Sequence, residues 1–218
     1  MSKTRDRLVD AAFALFEERG FDETTVDDIA ARAGAGRTTF FRAFGSKEDV
    51  IFPDHAVVLA AIRDRLSTGT PATASIAVAE GARLVLQHYL AEGTRAQLRY
   101  RLTSSVPALR AREVASQRQY QRTFQEFLEG WMGDGPTSAL RAELMANAVV
   151  TAHNHVLRRW LRGSIDAGTA EVEFDAAMVE VRRLFDATPA GGQTSLVLLR
   201  TSRDVDDLLP ELRKILEQ

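Results

Sequence analysis

The 218-residue chain has no cysteine. Disulfides and thiolate chemistry are therefore excluded, and a reducing cytosol is compatible. It has no apolar run of about eighteen residues, the minimum for a membrane-spanning helix, so no membrane span is expected. Neither sign of charge dominates. The formal net charge is −2, so the chain as a whole carries no basic signal for nucleic acid. Internal repeats and low-complexity tracts are absent. The opening stretch MSKTRDRLVDAAFALFEERG has acidic residues in and beside its apolar part, unlike the uncharged centre of a signal peptide. A cytoplasmic protein is expected. A reactive set is missing as well. His153 and His155 are two apart, which on a helix turns them away from each other, and no acid or cysteine joins them. They and His88 read as ordinary, partly buried histidines. No serine has a histidine and an acid at local spacing. An enzyme is not expected, and neither a cofactor nor a metal is implied.

What is present is helical patterning. The composition is 45% hydrophobic and 27% charged, ordinary for a globular chain long enough to bury a core. Apolar residues recur with a period near 3.6. Leu8, Ala11, Ala12, Leu15 and Phe16 mark a first helix ended by Gly20. Thr25 opens a second, with Asp28 three positions on as a short capping box. Gly34 and Gly36 bracket a turn, and a third helix spans 37–44. Ser46 reads as the cap of a fourth helix over 47–66. Longer helices are expected at 72–92, 95–104, 107–132, 136–162 and 171–187. The run SLVLLRT at 195–201 reads as a short strand, expected to pair with another copy of itself. An amphipathic helix follows at 204–216.

Two short helices joined by a glycine turn make a helix-turn-helix, whose second helix enters the major groove by its N-terminal residues. That explains the order in AGAGRTTFFRAF at 33–44. Arg37, Thr38 and Thr39 occupy the first turn, while Phe40 and Phe44, four apart, point back into a three-helix core. Between Ile29 and Lys47 there are four basic residues, Arg32, Arg37, Arg42 and Lys47, and no acid. The same spacing also fits a capped helical hairpin with solvated arginines.

The segment TTVDDIAARAGAGRTTFFRAFGSKEDVIF at 24–52 resembles the DNA-binding segment of TetR-family transcriptional regulators, and the helix before it resembles that family's first helix. The resemblance implies an all-α homodimer on a roughly palindromic double-stranded DNA operator. It implies an N-terminal helix-turn-helix domain at 1–50 and a C-terminal ligand-binding and dimerisation domain at 51–218. By motif position Arg37, Thr38 and Thr39 resemble the base-reading residues. Thr25 resembles a threonine that both caps and touches the DNA backbone, and Lys47 a phosphate-contacting lysine. Phe41 stands where a tyrosine is frequent and can only pack against sugar or a thymine methyl. Arg42 completes the candidate DNA-binding set. Gly36 replaces a frequent serine, and Ala43 a histidine or tyrosine, which removes a phosphate contact.

The second half is less legible. Thr94 to Gln125 holds seven arginines and one acid, Glu113. This stretch fits a mouth for an anionic ligand, a solvated face, or a contact with DNA or the DNA-binding domain. The resemblance places a pocket for a small-molecule effector among the middle helices. Asn147, Thr151 and Asn154 share one helix face at helical spacing. His88, Tyr89, Phe124, Phe127 and Trp131 are candidates for the opposite wall, with Tyr120 beside them. The last two long helices match the family's dimer interface, with Leu140, Leu144, Val149, Val156, Trp160, Val172, Met178 and Val181 as its apolar surface. VLRRWLRG at 156–163 resembles helix ends in family members, including some that respond to acyl-CoA. The expected function is a ligand-responsive repressor, a homodimer released from DNA by a small anionic or hydrophobic effector such as an acyl-CoA. Alternatives are an activator or global regulator of the same fold, or a helical protein-interaction module with weakened DNA binding.

Overall fold

A computed structural model describes residues 3–53 and 55–186. The strand expected at 195–201 and the helix at 204–216 lie outside the described residues. Among the latter there are nine α-helices and no strand. Three short helices lead: α1 (Lys3–Arg19), α2 (Val26–Arg32) and α3 (Arg37–Ala43). A single 3-10 turn at Glu48–Val50 precedes α4 (His55–Ser67). Five further helices follow: α5 (Ala74–Glu92), α6 (Thr94–Ser105), α7 (Pro107–Met132), α8 (Ser138–Leu161) and α9 (Ala167–Asp186).

The α2–α3 turn shows why glycine is needed at one of its two positions. Gly34 sits at φ +62°, a left-handed conformation that costs a side-chain-bearing residue about 1 kcal/mol or more. Its N–H donates to the Ala31 carbonyl and that of Ala35 to Ala30, at 3.1 and 2.9 Å. This pair of bonds closes the helix end as a Schellman motif. Gly36 caps α3 at φ −87°, in extended backbone open to any residue. At the other end of α2, Thr25 and Asp28 form the expected capping box.

The continuous fourth helix expected at 47–66 is broken. Pro53 has no N–H to donate and pushes Phe52 out of helical backbone. The chain therefore makes the 3-10 turn, passes through Pro53, and restarts as α4 at His55. The apolar rhythm runs through this break without registering it.

Two apolar cores form. Leu8, Phe16, Ile29, Phe40 and Ile51 fill the first, and Leu102 of α6 and Leu109 of α7 enter it. Ile62, Leu86, Phe124, Leu128, Met145 and Phe174 are central to the second. Each such side chain contributes about 1.5–3 kcal/mol on burial. Gly81 of α5 lets Phe124 approach closely, since a Cβ there would lie 3.0 Å from the ring. Of the residues expected at a dimer surface, Leu140, Leu144 and Val172 are exposed. Val149, Val156, Trp160, Met178 and Val181 are instead buried in the chain's own core. Both helices carry two apolar faces, and periodicity alone does not say which one turns outward. No helix among the described residues is long and apolar enough to cross a membrane.

Candidate DNA interface and effector cavity

The first turn of α3 presents Arg37 and Thr38 to solvent, with Thr39 half-buried. Arg37 is held in place by two contacts. Its Nη1 donates to both carboxylate oxygens of Asp27, at 2.8 and 2.7 Å, and its guanidinium lies 5.2 Å from the ring centre of Phe41. Phe41 is 43% exposed and stands edge-on to buried Phe40. Arg42 is exposed. Thr25 is exposed, but its hydroxyl is engaged with Asp28. Hydrogen bonds from the Thr25 hydroxyl and the Thr25 backbone N–H, with Arg19 nearby, hold the Asp28 carboxyl below its ordinary range. Lys47 folds back, donating its Nζ to the Phe21 carbonyl at 2.7 Å and lying over the Phe21 ring. Arg5 of α1 donates to the Ala43 carbonyl and sits over the Phe44 ring, 4.3 Å from its centre. That ties the start of the chain to the end of α3.

Helices α4 to α8 enclose a cavity of about 500 Å³. It gathers Tyr89, Tyr120, Phe124 and Asn154 from the sequence-derived candidates. The others lie elsewhere. His88 is half-buried beside Glu92, and Phe127 packs against the second core near Gly69. Trp131 lines a smaller recess with Met145. Asn147 donates to the Glu143 carbonyl on its own helix, and Thr151 faces solvent.

Wall residues outside that candidate set include His55 and His153, and Arg99, Tyr100 and Glu113 of the arginine-rich stretch. His153 was set aside as an ordinary histidine, yet it is buried against Phe174 and its Nε2 has no partner. Burial pushes its pKa down to about 4, against a smaller opposing pull from Asn154. Burial raises Tyr89, Tyr120 and Glu113 above their ordinary values, with Arg99 opposing each shift. The His55 Nδ1 lies 2.8 Å from the Tyr120 hydroxyl.

Five of the seven arginines in the rich stretch divide between two tasks. Arg95 pairs with Asp10, Arg101 with Glu17 and Arg112 with Asp49, so three of the seven reach α1 and the 3-10 turn. Arg99 is 3% exposed. It is bidentate to Glu92, at 2.6 Å for both bonds, and its Nε donates to the Ile51 carbonyl at 2.6 Å. One cavity-wall side chain thus grips the backbone just before the Pro53 break. Arg110 belongs to the cavity mouth, with Arg158 and Arg162 of the α8 end. Their acceptors are neutral: the Ser104 carbonyl, the Asn154 carbonyl and the Tyr100 hydroxyl. No group of three His, Cys, Asp or Glu among the described residues could hold a metal ion.

Residues 8–52 match the model of the bacterial regulatory proteins of the tetR family. The chain is 27% identical over 164 residues to the putative mycofactocin biosynthesis transcriptional regulator MftR of Mycobacterium tuberculosis, covering 72% of this chain and 81% of that protein. It is 25% identical over 190 residues to the HTH-type transcriptional regulator TcmR of Streptomyces glaucescens, covering 84% of each. Its fold is similar to that of Thermus thermophilus FadR, a TetR-family repressor solved with lauroyl-CoA. That match has a TM-score of 0.52 and 20% identity, and covers 88% of this chain and all of that one. These relatives are transcriptional regulators rather than enzymes. With its helix-turn-helix, its all-helical C-terminal half and these relatives, the chain is similar to transcriptional regulators of the TetR family, whose model its residues 8–52 match.

Proposed function

We propose that the protein is a homodimeric repressor that releases a palindromic operator when an effector enters the α4–α8 cavity. Residues 1–50 would form the DNA-binding domain and 51–218 the effector and dimerisation domain. Arg37, Thr38 and Thr39 would read bases. Thr25, Phe41, Arg42 and Lys47 would contact backbone and sugar, after Lys47 swings away from the Phe21 carbonyl. The observation that carries the regulatory part is Arg99. It lines the cavity and donates to the Ile51 carbonyl, so a molecule that moves Arg99 also moves the segment joining α3 to α4. A shift there changes the separation of the two recognition helices, which must span successive major grooves about 34 Å apart.

Two further features support the reading. Among the described residues, none of Arg110, Arg158 and Arg162 is paired to a carboxylate, which suits an effector with an anionic end. The acyl-CoA held by the Thermus relative is one molecule of that description. Leu140 and Leu144 on α8, with Val172, Val179 and Leu184 on α9, form exposed apolar stripes on adjacent helices, the kind of surface a second copy would cover. The test is selection of duplexes from a random library, followed by anisotropy on the selected sequence. Two-fold related half-sites bound by a dimer are expected. Enrichment of no sequence would leave a helical interaction module instead.

A further inference from the structure

The walls of the cavity say more about its occupant than the mouth does. All three tyrosines of the chain line it. Tyr89 reaches it from α5, Tyr100 from α6 and Tyr120 from α7. His55 stands edge-on to Tyr120, with ring centres 5.7 Å apart, and Phe124 lies one turn further along α7. More than half of the lining residues carry a polar or charged group, set in a wall whose larger part by area is apolar. A saturated chain returns no hydrogen bond to such a wall. Closing the wall over one costs the desolvation of each polar group it covers. A flat, oxygenated ring system meets both demands. Its faces pack on the tyrosine rings, and its hydroxyl and carbonyl edges exchange hydrogen bonds with the phenols.

Charge then orients it. At the inner end the Arg99 guanidinium is already neutralised by its bidentate bond to Glu92, and Glu113 adds a second carboxyl. A second anion there would have to displace Glu92. At the mouth, Arg158 and Arg162 hold only neutral acceptors, and a planar guanidinium both pairs with carboxylate and stacks on rings. The cavity's 500 Å³ falls in the usual range for small-molecule sites, roughly 300–1,000 Å³.

We propose that the effector is a polycyclic aromatic acid. Its hydroxylated rings lie among Tyr89, Tyr100, Tyr120 and His55, and its carboxylate lies at Arg158 and Arg162. This rests on the effector reading above and narrows it, placing saturated acyl thioesters outside the preferred class.

The test is isothermal titration calorimetry on the DNA-free full chain. The probe is rhein, a dihydroxyanthraquinone carboxylic acid, compared with its methyl ester, its di-O-methyl ether and lauroyl-CoA. Rhein is expected to bind about tenfold or more tightly than each of the three, a factor worth one good charge-assisted contact. Arg158→Gln with Arg162→Gln, both exposed, should remove that advantage over the ester by weakening rhein more than the ester. Tyr120→Phe should narrow the gap between rhein and its ether, with the circular dichroism spectrum unchanged. The proposal is overturned if lauroyl-CoA binds as tightly as rhein, if acid and ester are equal, or if rhein does not bind at millimolar concentration. Rhein bound with DNA affinity unchanged would uphold the ligand class and remove the effector role instead.

Discussion

Arg99→Met is the most informative single change. The side chain is 4% exposed and its partner Glu92 17%. Methionine fills much the same volume but makes none of the three hydrogen bonds. Glu92 is left as a largely buried carboxylate with only His88, 4.0 Å away, beside it, and the Ile51 carbonyl loses its donor. Breaking a buried pair by removing one partner costs about 3–5 kcal/mol. The remaining solvent access at Glu92 puts the expected loss near the lower end of that range. Adding Glu92→Gln removes the stranded charge and should restore roughly half of the loss, since a neutral amide is far cheaper to bury. Urea unfolding checks both variants. The chain's two tryptophans, Trp131 and Trp160, both belong to the second core, so fluorescence follows that core while far-UV circular dichroism follows the whole molecule. The two signals should coincide in the wild type and separate in Arg99→Met, where the N-terminal helices lose their central tether. A loss below about 1 kcal/mol, with coincident transitions, would refute the view that Arg99 joins the two cores.

Other outcomes follow from named contacts. Arg37→Ala should weaken operator binding by about 1–3 kcal/mol and relax preference at one base step per half-site; equal weakening on all operator variants would assign Arg37 to phosphate instead. His153 is buried neutral, with its pKa lowered from 6.5 to about 4, so its contribution is complete above pH 6.5 and lost as pH falls through that window. Between pH 7 and 5 the loss is about 2 kcal/mol. Glu113, raised by burial, acts with the opposite sign, so the difference between wild type and His153→Phe in urea midpoints isolates the histidine; equal pH slopes in the two proteins would contradict the assignment. Leu144→Arg with Val172→Arg changes two side chains exposed in the single chain, where surface substitutions usually stay within about 0.5 kcal/mol. Light scattering should nevertheless show monomers, and an unchanged mass would remove these residues from the dimer surface.

Local chemistry was legible in the sequence and long-range convergence was not. The turn at Gly34, the Thr25–Asp28 box and the inward-facing Phe40 and Phe44 each depend on neighbours within five residues. Pattern reading found them for that reason. Pro53 was equally visible, but the apolar rhythm on either side of it read as one helix. The cavity depends on partners far apart in sequence. His55 meets Tyr120 across 65 positions and Arg99 meets Ile51 across 48, and helical periodicity says nothing about either pairing. Phe127 and Trp131 share the helical rhythm of Phe124, yet α7 extends past the cavity and they pack below it. The arginines at 94–125 were conspicuous as a group. Their division between domain contacts and cavity mouth needed the positions of Asp10, Glu17 and Asp49.

The central claim is that the α3 face binds DNA specifically, and a salt titration of operator binding tests it most directly. Fluorescence anisotropy would be measured on the library-selected duplex, with excess nonspecific competitor, at several salt concentrations. The account predicts competitor-resistant binding whose affinity falls steeply with salt, by a log–log slope of about −0.9 per phosphate contact, and a shallower slope in Lys47→Gln. Binding that is insensitive to salt, or abolished by competitor at every concentration, would contradict it.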